Sequence, residues 1–462
     1  MKSTYIAFLL GLIIYPGCQL CGQDFWFGAD QSYVNEMEDC GAVFKENGEP
    51  KDVYRIYADH GNNLVRLRLW HTPSWYDGLN SGQRYSDLED VKKSIRRAKE
   101  QNMDVLLDFH LSDNWADPSK QVIPSAWVAV VDNLPVLQDS VYNYVSSTLN
   151  TLKAEGLLPE LVQVGNETNR GILLSPEQNQ TWTLDWKRNA PLFNSAIQAV
   201  RDVSADIEIA LHLADPDEVE WWVDEFVSNG VTDFDIIAMS YYWAWHQPTT
   251  VPETGEVIMR LNTLYPGKKV IVVETGYIWT TNSQDQANNI INSVHPSYSP
   301  ASPTSQKQWL IDLTQEVMDK GGDGVVYWEP SWVSTPCSTQ WGKGSHQEHA
   351  TFFDFNQDLL IPGGIEWMEF PYVFTTSLDD KIWEGLNPFY DQQGQALIIE
   401  KQANISSYSY TITDLQGALI QKDTLSVSRE VLNWNERPEG IYVVMVDDMK
   451  GNKGVKKFFH KK

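Results

Sequence analysis

The segment Leu161-Val-Gln-Val-Gly-Asn-Glu-Thr-Asn169 ends a short apolar run on an Asn-Glu pair, Asn166 and Glu167. Further along, Lys269-Val-Ile-Val-Val-Glu274 repeats the device, with a β-branched run that stops on Glu274. A glutamate in an acidic chain is ordinarily solvated surface. One that directly ends an apolar strand is different, because an unpaired buried carboxylate is costly. Two carboxyl groups held in apolar surroundings take separate roles: the one raised by burial and by its neighbour keeps its proton, and the other stays ionised. At a separation of roughly 5 Å, such a pair can act as acid and nucleophile at an acetal carbon, the chemistry of retaining glycoside cleavage.

That chemistry needs a scaffold that brings both strand ends to one place. After Gln23 the chain alternates strand-like and helix-like segments. Phe25–Ala29, Leu64–Leu69, Met103–Phe109, Leu161–Gly165, Ile207–His212, Ile236–Ser240, Lys269–Glu274 and Gly324–Trp328 are short apolar runs, as strands buried on both faces should be. Between them lie amphipathic stretches. In Leu88–Asn102, Val91, Ile95 and Ala98 recur at helical spacing with charges elsewhere, and Asp139–Leu152 is a second case. Eight strands, each followed by a helix, predict an α/β fold, a (β/α)8 TIM barrel with long loops after its strands. A doubly wound open sheet is the alternative, but no Gly-rich phosphate loop follows the first strand. Barrels of this kind keep their chemistry at the C-terminal strand ends, where Glu167 and Glu274 fall on strands four and seven.

Beyond about Pro388 the runs alternate more cleanly: Ala396–Glu400, Ser407–Thr413, Ile441–Val446 and Val455–Phe459. Turn residues such as Asp414-Leu-Gln-Gly417 and Gly451-Asn-Lys-Gly454 separate them, which predicts a small antiparallel β-sandwich. At the other end, Lys2 and the apolar Ile6–Ile14 form a targeting segment too short to span a bilayer. The domain plan is an export signal over 1–22, a barrel over 23–387 and a sandwich over 388–462. Gly17-Cys18 is a lipoprotein-type junction with poor flanking residues in Tyr15-Pro16; cleavage near Cys21-Gly22 is the other option. Either implies an exported protein, secreted or anchored at the outer membrane or cell surface of a bacterium. Cys40 and Cys337 are then the two mature cysteines, and spacing does not say whether they pair.

A formal net charge of −27 argues against nucleic acid and polyanionic partners, which the summed field would repel. No transmembrane helix is expected either. A neutral glycan carries no such penalty. Nineteen Trp and twenty Tyr suit one, because pyranose C–H faces stack on indole, although a share of these residues must be core.

Longer motifs run through the whole barrel: Phe27-Gly-Ala-Asp30, Asn63-Leu-Val-Arg-Leu-Arg-Leu-Trp70, Asp108-Phe-His-Leu-Ser-Asp-Asn-Trp-Ala-Asp-Pro118 and Gln163-Val-Gly-Asn-Glu-Thr-Asn169. Ser240-Tyr-Tyr242, Val273-Glu-Thr-Gly-Tyr277 and Tyr327-Trp-Glu-Pro330 continue the series. In these the chain resembles glycoside hydrolase family 53, the arabinogalactan endo-β-1,4-galactanases of clan A. The resemblance implies Glu167 as acid/base and Glu274 as nucleophile. It also implies no required cofactor, and β-1,4-galactan and galactooligosaccharides as the partners of a monomer. Gly440-Ile-Tyr-Val-Val and the terminal Lys456-Lys-Phe-Phe-His-Lys-Lys462 resemble the C-terminal sorting domains of type IX secretion substrates, with a plain structural appendage as the alternative.

Other strand ends supply candidate sugar-binding groups. Asn166 would donate to the sugar 2-OH. Arg66 and Arg68 share one face of strand two, and either could hold the nucleophile ionised; Arg68 lies nearer the strand's C-terminal end, and a structural ion pair is the plainer alternative. His110 and His212 close strands three and five, where each could bond sugar hydroxyls or the carboxylates, or be a satisfied core histidine. Asp30 and Asp113 fit hydroxyl recognition, with helix capping the competing role for Asp113. Tyr242, or Tyr241, could donate to Glu274. Trp328 takes the place where clan relatives put the aromatic floor under the reacting sugar, Trp115 and Trp332 suit flanking positions, and Glu329 reads as a supporting residue.

Two departures stand out. Tyr242-Trp-Ala-Trp-His246 replaces the Pro-Phe-Trp type of continuation common in relatives, so the loop after strand six is its own. Some family members hold a structural calcium ion between the loops after strands seven and eight. The candidate ligands here are Asp285, Asn288, Ser345 and His346, with Asn289 and His349 nearby and no Asp-rich run. The rival readings are a clan relative acting on another β-glycan such as mannan, and a glycan-binding surface protein without catalysis. The second has no need of Asn166 and both glutamates.

Overall fold

The computed structural model describes residues 25–181, 184–372, 386–391, 394–402, 405, 407–414, 419–438, 440–448 and 453–460. The export segment over 1–22 lies outside them, as do parts of the turns expected at 414–417 and 451–454. The chain divides into one unit over Phe25–Ser377 and another that includes Leu378–Lys462.

In the first unit eight parallel strands close a barrel. They are β1 (Trp26–Asp30), β2 (Leu64–Leu69), β3 (Asp104–Phe109), β4 (Leu161–Val164), β5 (Glu208–Ala214), β6 (Ile236–Ser240), β7 (Lys269–Thr275) and β8 (Gly324–Tyr327), and β8 returns to pair with β1. Side chains alternate between the barrel interior and the helical layer outside. On β2, Leu64 joins an inner cluster with Trp26, Leu106, Leu161 and Ile236, while Val65, Leu67 and Leu69 pack outward. The parity that places Leu64 inside places Arg66 and Arg68 inside as well. It likewise stacks Asp108 above Leu106, Gln163 above Leu161 and His212 above Ala210. The lower barrel is therefore apolar and the upper barrel polar, a state tolerable only where buried polar groups find partners.

Among the described residues eight α-helices surround it: α1 (Val34–Asp39), α2 (Val53–Asp59), α3 (Leu88–Glu100), α4 (Leu134–Ala154), α5 (Trp186–Val203), α6 (Pro216–Ser228), α7 (Val251–Leu264) and α8 (Pro303–Asp319). The α3 helix begins where the Asp87 carboxylate accepts from the Asp90 N–H, and it buries the Val91, Ile95 and Ala98 stripe. The α4 helix begins earlier than its apolar stripe, at Leu134, because Pro135 is suited to a first helical turn.

Among the described residues no α-helix follows β8, contrary to the expectation of a helix after every strand. Residues 328–372 instead form a small hairpin, Ser338–Thr339 with Gly342–Lys343, and a 3-10 turn at Gly364–Trp367 that packs on α8. Pro362-Gly-Gly364 and Pro371 leave too short a stretch for a helix there. A disulfide joins Cys40, at the end of α1, to Cys337 at the foot of the hairpin, with Cα atoms 5.7 Å apart.

Among its described residues the second unit holds seven strands in two antiparallel sheets, one of three strands and one of four. Its core gathers Tyr408, Ile412, Trp434 and Val444. Three strands, Leu386–Asp391, Leu419–Leu425 and Arg429–Asn433, add to the four legible in the sequence. Leu419–Leu425 is nowhere fully buried, so it carries little alternation. Among the described residues no helix is long and apolar enough to cross a membrane.

Candidate active site

Glu274 reaches the barrel mouth through an irregularity. Ile271 and Val273 face the interior, so simple alternation would turn Glu274 outward. The pairing shows one extra residue on β7: Met239–Ser240 of β6 lies opposite Val272–Glu274, and Val325–Tyr327 of β8 lies opposite Val272–Thr275. This bulge resets the parity and re-aims Glu274 into the barrel.

Glu167 is placed by a turn. Gly165 (φ 78°) and Glu167 (φ 44°) both adopt left-handed backbone at the end of β4. A Cβ on Gly165 would meet Thr168 Cγ2 at 2.6 Å, so only glycine fits. Left-handed non-glycine residues also follow β3, β5 and β8, at Leu111, Asp215 and Glu329. Strain of this kind gathers where the surrounding structure over-determines the backbone, and here it rings the mouth.

Beneath the glutamates sits Arg66, fully buried. Its guanidinium donates to Glu274 Oε1 (2.6 Å), Asp108 Oδ2 (2.7 Å), Asp30 Oδ2 (3.0 Å), Asn166 Oδ1 (2.6 Å) and Gln163 Oε1 (3.1 Å). One cation thus serves three carboxylates and orients the amide beside Glu167. Arg68 is equally buried but belongs to another group. It donates to Glu329 Oε1 (2.9 Å) and Ser86 Oγ (3.1 Å), and its guanidinium lies 4.1–4.6 Å from the ring centres of Trp115, Trp70 and Tyr33. Of the two arginines, Arg66 meets the candidate nucleophile.

Tyr242 Oη donates to Glu274 Oε2 at 3.2 Å, whereas Tyr241 Oη turns away to the Thr249 carbonyl. Glu167 Oε1 accepts from Ser240 Oγ at 2.6 Å. Behind Ser240, His212 Nε2 lies at 2.8 Å, and His212 Nδ1 is 2.9 Å from Asn166 Oδ1, closing a line of contacts back to Arg66. Burial lifts Glu274 to about 7, although Arg66 pulls it down. Glu167 stands well above the ordinary carboxylate range, first through burial and then through repulsion from Glu274, with the Ser240 bond opposing. When the pair holds one proton, that proton belongs on Glu167.

Both glutamates open into a cleft of about 790 Å³. Of the residues expected to bind sugar, Asn166, Tyr242, Trp115, Trp328 and Trp332 line it. Trp332 is stacked on Tyr33 (4.0 Å between centroids), and Trp328 and Trp115 are 5.6 Å apart. Five expected sugar-binding residues do not reach the cleft. Asp30 is buried with Oδ1 accepting from Ser32 and Oδ2 from Arg66. Arg68 is covered by its three rings. His110 is buried, 2.9 Å from Asp108 Oδ2 and edge-on to Trp70 and Trp115. His212 is buried behind Ser240, and burial holds both histidines below their usual pKa. Asp113 accepts from Thr72 N and from Ser125 N and Oγ, where it serves the 3-10 turn Ser125–Val130, the capping type of role. Glu329 is buried under Arg68 and does not line the cleft.

Sequence reasoning gave no role to Ser240, Asp108 and Gln163, although each stands within a quoted motif. It also missed Asp117, Asp215, Glu218, Trp245 and Trp341 of the cleft wall. Trp341 comes from the hairpin after β8, and the density of Trp in that loop was the only hint.

The residues proposed for calcium are arranged otherwise. Asp285 Oδ1 accepts from Ala287 N (2.7 Å), and Oδ2 from Ser345 N (2.8 Å) and Ser334 Oγ (2.5 Å). His346 Nδ1 lies 2.7 Å from the Asn288 carbonyl, and both residues line the cleft. Among the described residues, no three His, Cys, Asp or Glu side chains are grouped so that they could hold a metal ion. A hard cation wants six or more oxygens with free lone pairs, and here N–H and O–H donors already occupy Asp285. These residues do not fit a calcium ion; the hydrogen bonds of Asp285 join the two loops directly.

The sequence profile of glycosyl hydrolase family 53 matches residues 26–362. The chain is 47% identical over 336 residues to an arabinogalactan endo-beta-1,4-galactanase of Cellvibrio japonicus, a match covering 71% of this chain and 86% of that protein. An endo-beta-1,4-galactanase of Bacillus subtilis is 34% identical over 324 residues, covering 69% of this chain and 72% of that one. Among solved structures, the GH53 catalytic domain of Ignisphaera aggregans aligns with a TM-score of 0.68 at 32% identity, covering 78% of this chain and 98% of that one.

Proposed function

Because this chain belongs to glycosyl hydrolase family 53, we propose that it hydrolyses internal β-1,4-galactosidic bonds of pectic galactan by a retaining double displacement. The observation that carries the mechanism is the placement of Glu167 and Glu274 in one cleft with different partners, Ser240 on the first and Arg66 with Tyr242 on the second. Glu274, held by Arg66 and Tyr242, attacks the anomeric carbon of a galactosyl unit. The glycosidic C–O bond breaks as Glu167 passes its proton to the leaving oxygen. Water then gives a proton back to Glu167 and attacks the same carbon, releasing Glu274 with net retention. Asn166 has one N–H on the Ala116 carbonyl, which leaves its second for the sugar 2-OH. Trp328 forms the floor, and Trp115 and Trp332 the flanking wall. The apolar run Ile6–Ile14 supports export.

The test is product release from β-1,4-galactan, mannan and xylan, with the anomer followed by NMR. Short β-configured galactooligosaccharides from galactan alone are expected. Release from mannan instead would overturn the substrate, and initial α-products would overturn retention. Binding without release from any glycan would mean a receptor.

The pH profile should be a bell with apparent limbs that belong to the pair. Activity rises with pH as Glu274 ionises and falls as Glu167 loses its proton. In Glu167→Gln, assayed on an aryl glycoside whose leaving group needs no proton, the alkaline limb should flatten. A limb that persists unchanged would point to a different acid.

A further inference from the structure

Glu167 marks a direction in the cleft. The oxygen it protonates departs with the sugars on the reducing side of the cut, so those sugars lie on the Glu167 side. The wall there differs from the aromatic wall of Trp115, Trp328, Trp332 and Trp341. The loops after β4, β5 and β6, which follow Glu167 round the barrel, supply Asn169, Asp215, Glu218, Trp245 and His246 to it, and Asp117 lies close enough to Glu167 to repel its charge. Trp245 is 46% exposed and its ring lies 4.4 Å from that of Tyr242, so an indole face stands next to the reacting centre. Its loop is held by His246 Nδ1, which accepts from Tyr242 N at 3.1 Å.

Two carboxylates flank that platform at the start of α6. Asp215 caps the helix, with Oδ1 accepting from Asp217 N at 3.1 Å. Glu218 Oε2 accepts from Asn169 Nδ2 and Trp222 Nε1, each at 3.3 Å. One oxygen of each carboxylate has no protein partner among the described residues, and such oxygens accept sugar hydroxyls well. The described cleft lining holds five carboxyl groups, Asp117, Glu167, Asp215, Glu218 and Glu274, and no lysine or arginine. Arg66 lies beneath Glu274 with its donors already engaged.

We infer that the Glu167-side arm, with Trp245 as platform and Asp215 and Glu218 as hydroxyl acceptors, is a leaving-group subsite that admits uncharged galactosyl units and excludes sugars bearing a carboxylate. This rests on the galactanase reading. A hydroxyl can donate to Asp215 or Glu218, whereas a second carboxylate can only repel them. At 6–7 Å and an intermediate dielectric, one such pair corresponds to about a tenfold discrimination.

The test uses galactotetraose with its reducing end either reduced to the neutral alditol or oxidised to the anionic aldonate. The two differ at one open-chain terminus, chiefly in charge. The measurement is kcat/KM for the linkage nearest that end, at low and high salt. The wild type should cut the aldonate about tenfold more slowly at low ionic strength, with the gap closing in about 0.5 M NaCl. In Glu218→Gln the alditol-to-aldonate ratio should shrink toward one, and because each protein supplies both numbers, a general loss of activity does not move the ratio. Equal rates in the wild type at low salt, or a gap that neither salt nor Glu218→Gln changes, overturns the inference. Failure to cut either oligosaccharide or galactan itself would instead overturn the reading beneath it.

Discussion

Glu167→Ala and Glu274→Ala are expected to fail in different ways. On galactan, Glu167→Ala should lose about 10²–10⁴-fold in kcat/KM, the usual worth of a positioned acid. On an aryl galactooligoside with a good leaving group it should form the glycosyl-enzyme normally and then stall, because the base for the second step is gone. Added azide needs no base, so it should restore turnover and yield the β-galactosyl azide. Glu274→Ala removes the covalent route itself, and activity on both substrates should fall by about four orders of magnitude or more. Azide entering the vacated space would attack from the opposite face and give the α-azide. The structural basis of the asymmetry is the environment of each group: among the described residues Ser240 donates to the Glu167 carboxylate, while Arg66 and Tyr242 both donate to Glu274. An α-azide from Glu167→Ala, or a β-azide from Glu274→Ala, would exchange the two roles.

Arg66→Met should damage both fold and catalysis. It leaves Asp30, Asp108 and Glu274 buried without their shared cation, and breaking a buried pair costs about 3–5 kcal/mol. Glu274 relieves part of this by taking up a proton: without Arg66, which pulls its pKa down, that pKa rises further in the folded state. A group that binds protons more tightly when folded makes stability fall as pH rises. The deficit in urea denaturation should therefore be larger at alkaline than at acidic pH. The same rise protonates Glu274 at working pH, so the acid limb of activity should move to higher pH. Arg68→Met is the matched control. It strands Glu329 and also destabilises, but it touches neither active glutamate, so its acid limb should stay put. A shift in Arg68→Met and none in Arg66→Met would mean that the assignment of the two arginines is reversed.

Much of this protein is readable along the chain. Strands buried on both faces leave uninterrupted apolar runs, so all eight barrel strands were found to within a few residues. The glutamates that end β4 and β7 were evident because a carboxylate there has no cheap alternative. The helical stripe of α3 was legible for the same kind of reason, as its period matches the geometry that buries it. Legibility failed where pattern is weak: after β8, where Pro and Gly cut a helix down to one 3-10 turn, and in Leu419–Leu425, which is nowhere fully buried.

What local pattern cannot hold is depth and parity in a closed barrel. Alternation correctly puts Arg66 and Arg68 on one face, but the stagger between tilted strands decides which level meets Glu274. It is the deeper one, so the residue nearer the strand end serves Glu329 instead. Alternation alone would even have turned Glu274 outward; a bulge visible only in the pairing of β6, β7 and β8 turns it back. Asp30, His110 and His212 likewise sit at strand ends where sugar contacts are expected, yet lie one layer below the cleft. The sequence by itself determined the barrel and the two glutamates, because burial and periodicity are local properties of a strand. Only the tertiary structure decided which polar groups reach the cleft and which lie beneath and hold the ones that do, because that depends on how eight strands are staggered against one another.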